Sequence, residues 1–318
     1  MARNVRDVLN PVFVISPPRA GSTLLFNLIS SMPAFWSLYR ESHAVLDASF
    51  ESLRTQGILH SDILGANEAD LPAAAVFKKR FLSGLMNYEG SFEQGLRLFP
   101  NSSRFRLTPQ KLVLRVLSQG TKLREAGILR FVEKTARNSL RIDFLVKLFP
   151  NARFIFLHRG SRDIARSMYD GWLYRKGRKL PNKGLSLNDG TSLKNWCFLQ
   201  PLGWDSTRYD CLGDVVSFQI EAAYRCGIES LNKVPPSQVL CVKLAELSNS
   251  PVSEFRRISN FINAEPDNRL IQILEALPAV NPTPPSLGGK TTDELQPYVQ
   301  RLEDLDWEVT EWMERKGR

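Results

Sequence analysis

The chain opens on two apolar stretches of different period. Residues 12–15 (Val-Phe-Val-Ile) form a continuous apolar run, the pattern of a strand buried on both faces of a parallel sheet. After a turn through residues 16–21, Leu24, Leu25, Leu28 and Ile29 recur at helical spacing. Residues 34–39 are aromatic-rich and extended, and residues 44–55, 69–87 and 108–126 alternate apolar and charged groups at helical spacing. Residues 101–106 read as a loop, and Gly127 closes the helix before it. Strands are predicted over 128–133 and 153–158, with a helix over 138–149 between them. Ser161 is placed to cap the next helix, with Asp163 favourable in its first turn. The pattern is helical again over 213–233. Pro235-Pro236 breaks it, 238–243 is a final strand, and helices follow over 251–262, 267–277 and 293–315.

Strands alternating with helices predict an α/β fold, a single domain over 1–318 with a central parallel sheet flanked by helices. The least regular part, 171–214, is expected to be an insertion of helix end and loop that acts as a lid or binds an acceptor. Its Trp196, Trp204, Arg208 and Tyr209 give it an aromatic and basic character suited to an amphipathic ligand. No internal repeat is present.

Composition narrows the partners. Lys and Arg outnumber Asp and Glu by 42 to 33, a net +9 that favours anionic ligands. The basic residues are dispersed, so no nucleic-acid arm is expected. Cys197, Cys211, Cys226 and Cys241 are far apart and form no C-x-x-C pair, which predicts reduced, buried thiols and no metal site. The chain shows neither a signal peptide nor an apolar run long enough to span a bilayer, so a cytoplasmic protein is expected. Oligomeric state is left open.

The turn after the first strand carries candidate chemistry. Strand, tight turn and helix N-terminus together direct backbone N–H groups at an anion. Against the pattern G-x-x-x-x-G-K-[ST], Ser16 stands at the first Gly, Gly21 at the second and Thr23 at the hydroxyl position. Ser22 replaces the Lys, and a cation appears earlier as Arg19. Such a loop suits a single phosphate better than a triphosphate. A P-loop kinase or NTPase is therefore the alternative reading. It lacks that Lys and also an apolar strand ending in an obvious metal-binding Asp.

A second stretch sharpens the reading: Phe131-Val-Glu133-Lys134-Thr135, then Arg153-Phe-Ile-Phe-Leu-His158-Arg159 with Ser167 eight positions after Arg159. With Pro18-Arg-Ala-Gly-Ser-Thr23 this resembles the sulfotransferases that use 3′-phosphoadenosine 5′-phosphosulfate (PAPS) and release adenosine 3′,5′-bisphosphate (PAP). The resemblance implies their P-loop-like fold and transfer of a sulfuryl group, without a metal, to a hydroxyl or amine. It implies as acceptor a small molecule, a carbohydrate or a carrier-tethered chain. It implies that Arg19, Ala20, Gly21, Ser22 and Thr23 take the 5′-phosphosulfate, and that Arg159 and Ser167 take the 3′-phosphate. Lys134 is implied beside the bridging oxygen, and Gly288, Gly289 and Lys290 in a loop closing on the nucleotide. The sequence departs from the family at Ala136, where a Pro is usual, and at Gly160-Ser161, where Asp-Pro is common.

The remaining need is a base for the acceptor's proton. The tyrosine-type relatives that the chain resembles place a glutamate after the first helix, which implies Glu41, with His43 as the second choice.

Overall fold

The protein's structure, a computed structural model, describes residues 11–32, 35–37, 41–86, 130–174, 179–180, 185–193, 195–277 and 294–317. Strand β1 (Val12–Ile15) leads into helix α1 (Ser22–Ser31), and β2 (Phe35–Trp36), α2 (His43–Thr55) and α3 (Pro72–Met86) follow. Next come β3 (Arg130–Lys134), α4 (Ile142–Leu148), β4 (Arg153–His158) and α5 (Ser161–Leu173). Two small antiparallel pairs follow, β5 (Lys179–Leu180) with β8 (Trp196–Cys197) and β6 (Leu185–Ser186) with β7 (Ser192–Leu193). The chain finishes with α6 (Leu212–Asn232), β9 (Val239–Lys243), α7 (Leu244–Asn249), α8 (Pro251–Ile262), α9 (Asn268–Glu275) and α10 (Val299–Lys316).

Five of the strands form one parallel sheet in the order β2-β3-β1-β4-β9, with Val12 opposite both Val132 and Arg153. The α/β fold with a central parallel sheet is thus the observed one. Alternation along the strands supplies two cores. Phe13, Ile15, Phe154 and Phe156 pack under α2–α6 and α10, whereas Val12, Val14, Ile155 and Leu157 pack against α1, α8 and α9. Because every strand runs the same way, Ile15, Lys134, His158 and Lys243 end on one edge. Open α/β sheets bind ligands there.

Most of the predicted elements stand within a few residues. The differences have local causes. The helix expected over 138–149 is a 3-10 turn (Ala136–Leu140) followed by α4, broken at Arg141, whose φ of −138° leaves helical geometry. The segment 69–87 is likewise a 3-10 turn (Asn67–Asp70) and α3, because Leu71 precedes Pro72 and is extended. Pro297 opens a similar short turn ahead of α10. Ser161 does not cap α5. It lies inside the first turn, and its N–H and hydroxyl both donate to Asp306 of α10. Only Cys197 is buried, while Cys211, Cys226 and Cys241 are half-buried. The helix expected over 108–126 and the loop over 101–106 lie outside the described residues.

A buried ionic node ties the long connection after α2 to the end of β3. Asp62 is fully buried, and its Oδ1 lies 3.3, 3.1 and 3.0 Å from the guanidinium groups of Arg54, Arg137 and Arg141. Its Oδ2 accepts from the Gln200 N–H at 2.8 Å. Burial lowers the Arg141 guanidinium to about 10, with Asp62 acting in the opposite direction. Removing Asp62 leaves the fully buried Arg141 without its carboxylate, which typically costs about 3–5 kcal/mol. Asp62→Ala is therefore expected to lower the unfolding free energy by that amount, read as a fall in the urea midpoint at an unchanged denaturant slope. A midpoint within error of the wild type would show the node to be dispensable.

Candidate active site

Three chain segments meet at the C-terminal edge of the sheet. The first is the turn between β1 and α1. Arg19 (φ 66°) and Gly21 (φ 88°) both adopt left-handed backbone, and such a turn cups an anion in its N–H groups. Gly21 is required twice over. A Cβ there would also lie 2.8 Å from Leu244 Cδ2. Helix α1 begins at Ser22, so its unpaired N–H groups open onto the same space.

The second segment joins β4 to α5. The Tyr224 hydroxyl donates to the Arg159 carbonyl at 2.7 Å and fixes the backbone at the strand end. The Arg159 guanidinium donates to the Arg19 carbonyl at 3.2 Å and lies 3.5 Å from Asp163. In return, Arg19 Nε donates to the Ser167 hydroxyl at 2.9 Å. The two stretches expected to hold opposite ends of a nucleotide are therefore joined, with Arg19 bridging them.

The third segment sets a carboxylate against a lysine. Lys134, the last residue of β3, forms an ion pair with Glu41 Oε1, and His43 Nδ1 lies 3.2 Å from Glu41 Oε2. The Ser42 N–H between them donates to Thr135 Oγ1 at 2.8 Å and to Glu133 Oε1 at 3.2 Å. Glu133 is buried and also accepts from Thr135 and Asn138, so the segment with Glu41 is fastened to the strand with Lys134. Burial pushes the Glu133 carboxyl up against these hydrogen bonds. At Glu41 burial also favours the neutral acid, but the His43 hydrogen bond and the Lys134 charge outweigh it and hold the group at about 2. Its contribution to stability is complete above the ordinary 4.5 and is lost as the pH falls through about 2.

These segments enclose a cavity of about 420 Å³. Arg19, Gly21, Ser22, Thr23, Glu41, His43, Lys134, Arg159 and Ser167 all line it. Ala20 does not, since its side chain is buried in the core, and Gly288, Gly289 and Lys290 lie outside the described residues. The wall also includes Pro18, Ala136, Arg137, Phe198 and Leu199. Arg137 was not singled out from the sequence, although it stands two residues after Thr135, and no local pattern marked Phe198 or Leu199. Trp196, Trp204 and Tyr209 from the same irregular segment are buried in the main core. Among the described residues, no cluster of three or more His, Cys, Asp or Glu is arranged to hold a metal, and no helix is long and apolar enough to cross a membrane.

Three cations and a turn rich in N–H groups make one side of the cavity an anion site, and a carboxylate with an adjacent imidazole occupies the other. The sulfotransferase family model matches residues 11–197, which hold all three segments. A sulfotransferase of Mycobacterium avium is 16% identical and aligns over 96% of this chain and 76% of its own, with a TM-score of 0.48. The sulfotransferase domain of the Synechococcus olefin synthase is 17% identical over 98% and 96%, with a TM-score of 0.43. A mouse sulfotransferase solved with PAP is 13% identical over 95% and 88%, with a TM-score of 0.38. No curated protein matches the chain. The family match spans more than half of the 318 residues, and the chain belongs to the sulfotransferase family.

Proposed function

We propose that the cavity binds PAPS and transfers its sulfuryl group to an acceptor hydroxyl, leaving PAP. The observation that carries this reading is the convergence of Arg19, Lys134 and Arg159 on one cavity that also holds Glu41. In this reading Gly21, Ser22 and Thr23 receive the 5′-phosphosulfate, and Arg159 with Ser167 receives the 3′-phosphate. The acceptor oxygen forms a bond to sulfur as the bond from sulfur to the bridging oxygen breaks. Lys134 and Arg19 stabilise the charge that develops on the leaving phosphate. Glu41 takes the acceptor's proton.

A carboxylate held at about 2 is a weak base, and the resting ion pair is the cause. When the donor engages Lys134, Glu41 loses that partner and gains proton affinity. The base is thereby strengthened only once the donor is in place.

The test is transfer of radiolabelled sulfur from PAPS to a mixed pool of alcohols by the purified protein. Because arginine, lysine and backbone N–H groups neutralise the transferring group, turnover is expected to be unchanged in EDTA. Activity lost in EDTA and restored by Mg²⁺ would contradict the metal-free reading. Absence of label transfer under both conditions would contradict the sulfuryl-transfer reading itself.

A further inference from the structure

Phe198 is held in the cavity wall in a conformation that an aromatic residue rarely adopts. Its φ is +63°, in the left-handed region, where a bulky side chain is strained. Fully buried donors fix the backbone on both sides of it. Gln219 Nε2 donates to the Cys197 carbonyl at 2.8 Å and to the Leu199 carbonyl at 2.6 Å, and the Trp196 indole N–H also donates to the Leu199 carbonyl. The Trp172 indole N–H donates to Gln219 Oε1 at 3.1 Å and locks the amide in that orientation. A glycine clears the space for the ring. A Cβ on Gly171 would sit 2.6 Å from Phe198 Cζ. Gly171 lies one turn after Ser167, so the ring rests on the face of α5 that also presents the Ser167 hydroxyl.

Strain of this kind persists only where the surroundings over-determine it, and here they hold an aromatic residue in the cavity wall with its ring against α5. Beside it the wall is apolar, with Leu199 and Ala136. The adjacent Arg137 is engaged by Asp47 and Asp62, so its charge is balanced within the protein. A polyhydroxylated acceptor needs several polar partners, and among the described residues this side of the cavity offers it few beyond Glu41 and His43.

We propose that Phe198 is a specificity-determining residue, and that the acceptor is a hydroxyl carried on an apolar body, a phenol or alkyl alcohol rather than a sugar. This rests on the sulfuryl-transfer reading of the same cavity. The ring and Leu199 pack against the apolar body and turn its hydroxyl toward Glu41.

The experiment measures kcat/KM with PAPS for naphthol, octanol, N-acetylglucosamine and lactose, alongside the Kd for PAP. Naphthol and octanol are expected to exceed both sugars by at least about tenfold, and Phe198→Ala to lower their kcat/KM by about 10–100-fold, mainly through KM. The Kd for PAP should stay at the wild-type value, which also shows that the variant is folded. Gly171→Ala, which displaces the ring from behind, should act in the same direction, and Phe198→Leu should recover part of the loss. Preference for the sugars, transfer to none of the four while PAP still binds, or an unchanged kcat/KM in Phe198→Ala overturns the proposal. Failure of the wild type to bind PAP would overturn the underlying sulfuryl-transfer reading instead.

Discussion

Glu41→Gln is expected to lower turnover by about 10²–10⁴-fold, the usual cost of losing a general base. The substitution keeps the shape of the side chain and one hydrogen-bond acceptor, so the segment pinned through Ser42 should remain in place. It removes both the proton acceptor and the negative partner of Lys134. Affinity for PAP should change by only a small factor, since PAP carries no sulfuryl group for that end of the cavity. His43, 3.2 Å from the same carboxylate, is the competing base. Its substitution by Ala should reduce the rate less than Glu41→Gln does, because it then only orients Glu41. If Glu41→Gln retains nearly full activity and His43→Ala is inactive, the imidazole is the base and the assignment is wrong.

Arg159→Ala is expected to weaken PAP by about 2–5 kcal/mol, as when one partner of a buried charge-assisted pair is cut. Adenosine 5′-phosphosulfate, which has no 3′-phosphate, should bind the variant almost as it binds the wild type. The comparison matters because Arg159 also donates to the Arg19 carbonyl and so helps hold the first turn. Isothermal titration with both ligands separates the two roles. A loss confined to PAP assigns Arg159 to the 3′-phosphate. Equal losses would mean that it acts through the first turn, and the assignment would fail.

Local pattern carried much of this description. The strands predicted over 12–15 and 153–158 have those same limits, each built on an apolar run, 12–15 and 154–157, that is buried on both faces of the sheet. The residues around Arg19, Lys134 and Arg159 were legible because each sits at or just beyond the end of a strand, where the sheet edge makes an anion site. What the sequence hid depends on contacts between distant residues. Asp306 lies 145 positions from Ser161, so nothing near Ser161 showed that its hydroxyl would serve that carboxylate rather than cap α5. The aromatic residues of the irregular segment were read together as ligand-facing. Folding instead buries Trp196, Trp204 and Tyr209 in the core and leaves Phe198, which no local pattern marked, at the cavity. That division is set by Gln219 and Gly171, which lie outside the local window around Phe198. The single carboxylate shared by Arg54, Arg137 and Arg141 was equally invisible, since Asp62 is an ordinary acidic residue in its own neighbourhood.

The central claim is that one cavity at the sheet edge is built for a nucleotide with separate 3′ and 5′ anions. Titration calorimetry of the wild-type protein with PAP, and with ATP in the presence of Mg²⁺, tests it most directly. The account predicts that PAP binds without metal, tightly enough to exclude ATP, and that Arg159→Ala abolishes most of this preference. Tight binding of ATP and Mg²⁺ with no measurable binding of PAP would contradict it.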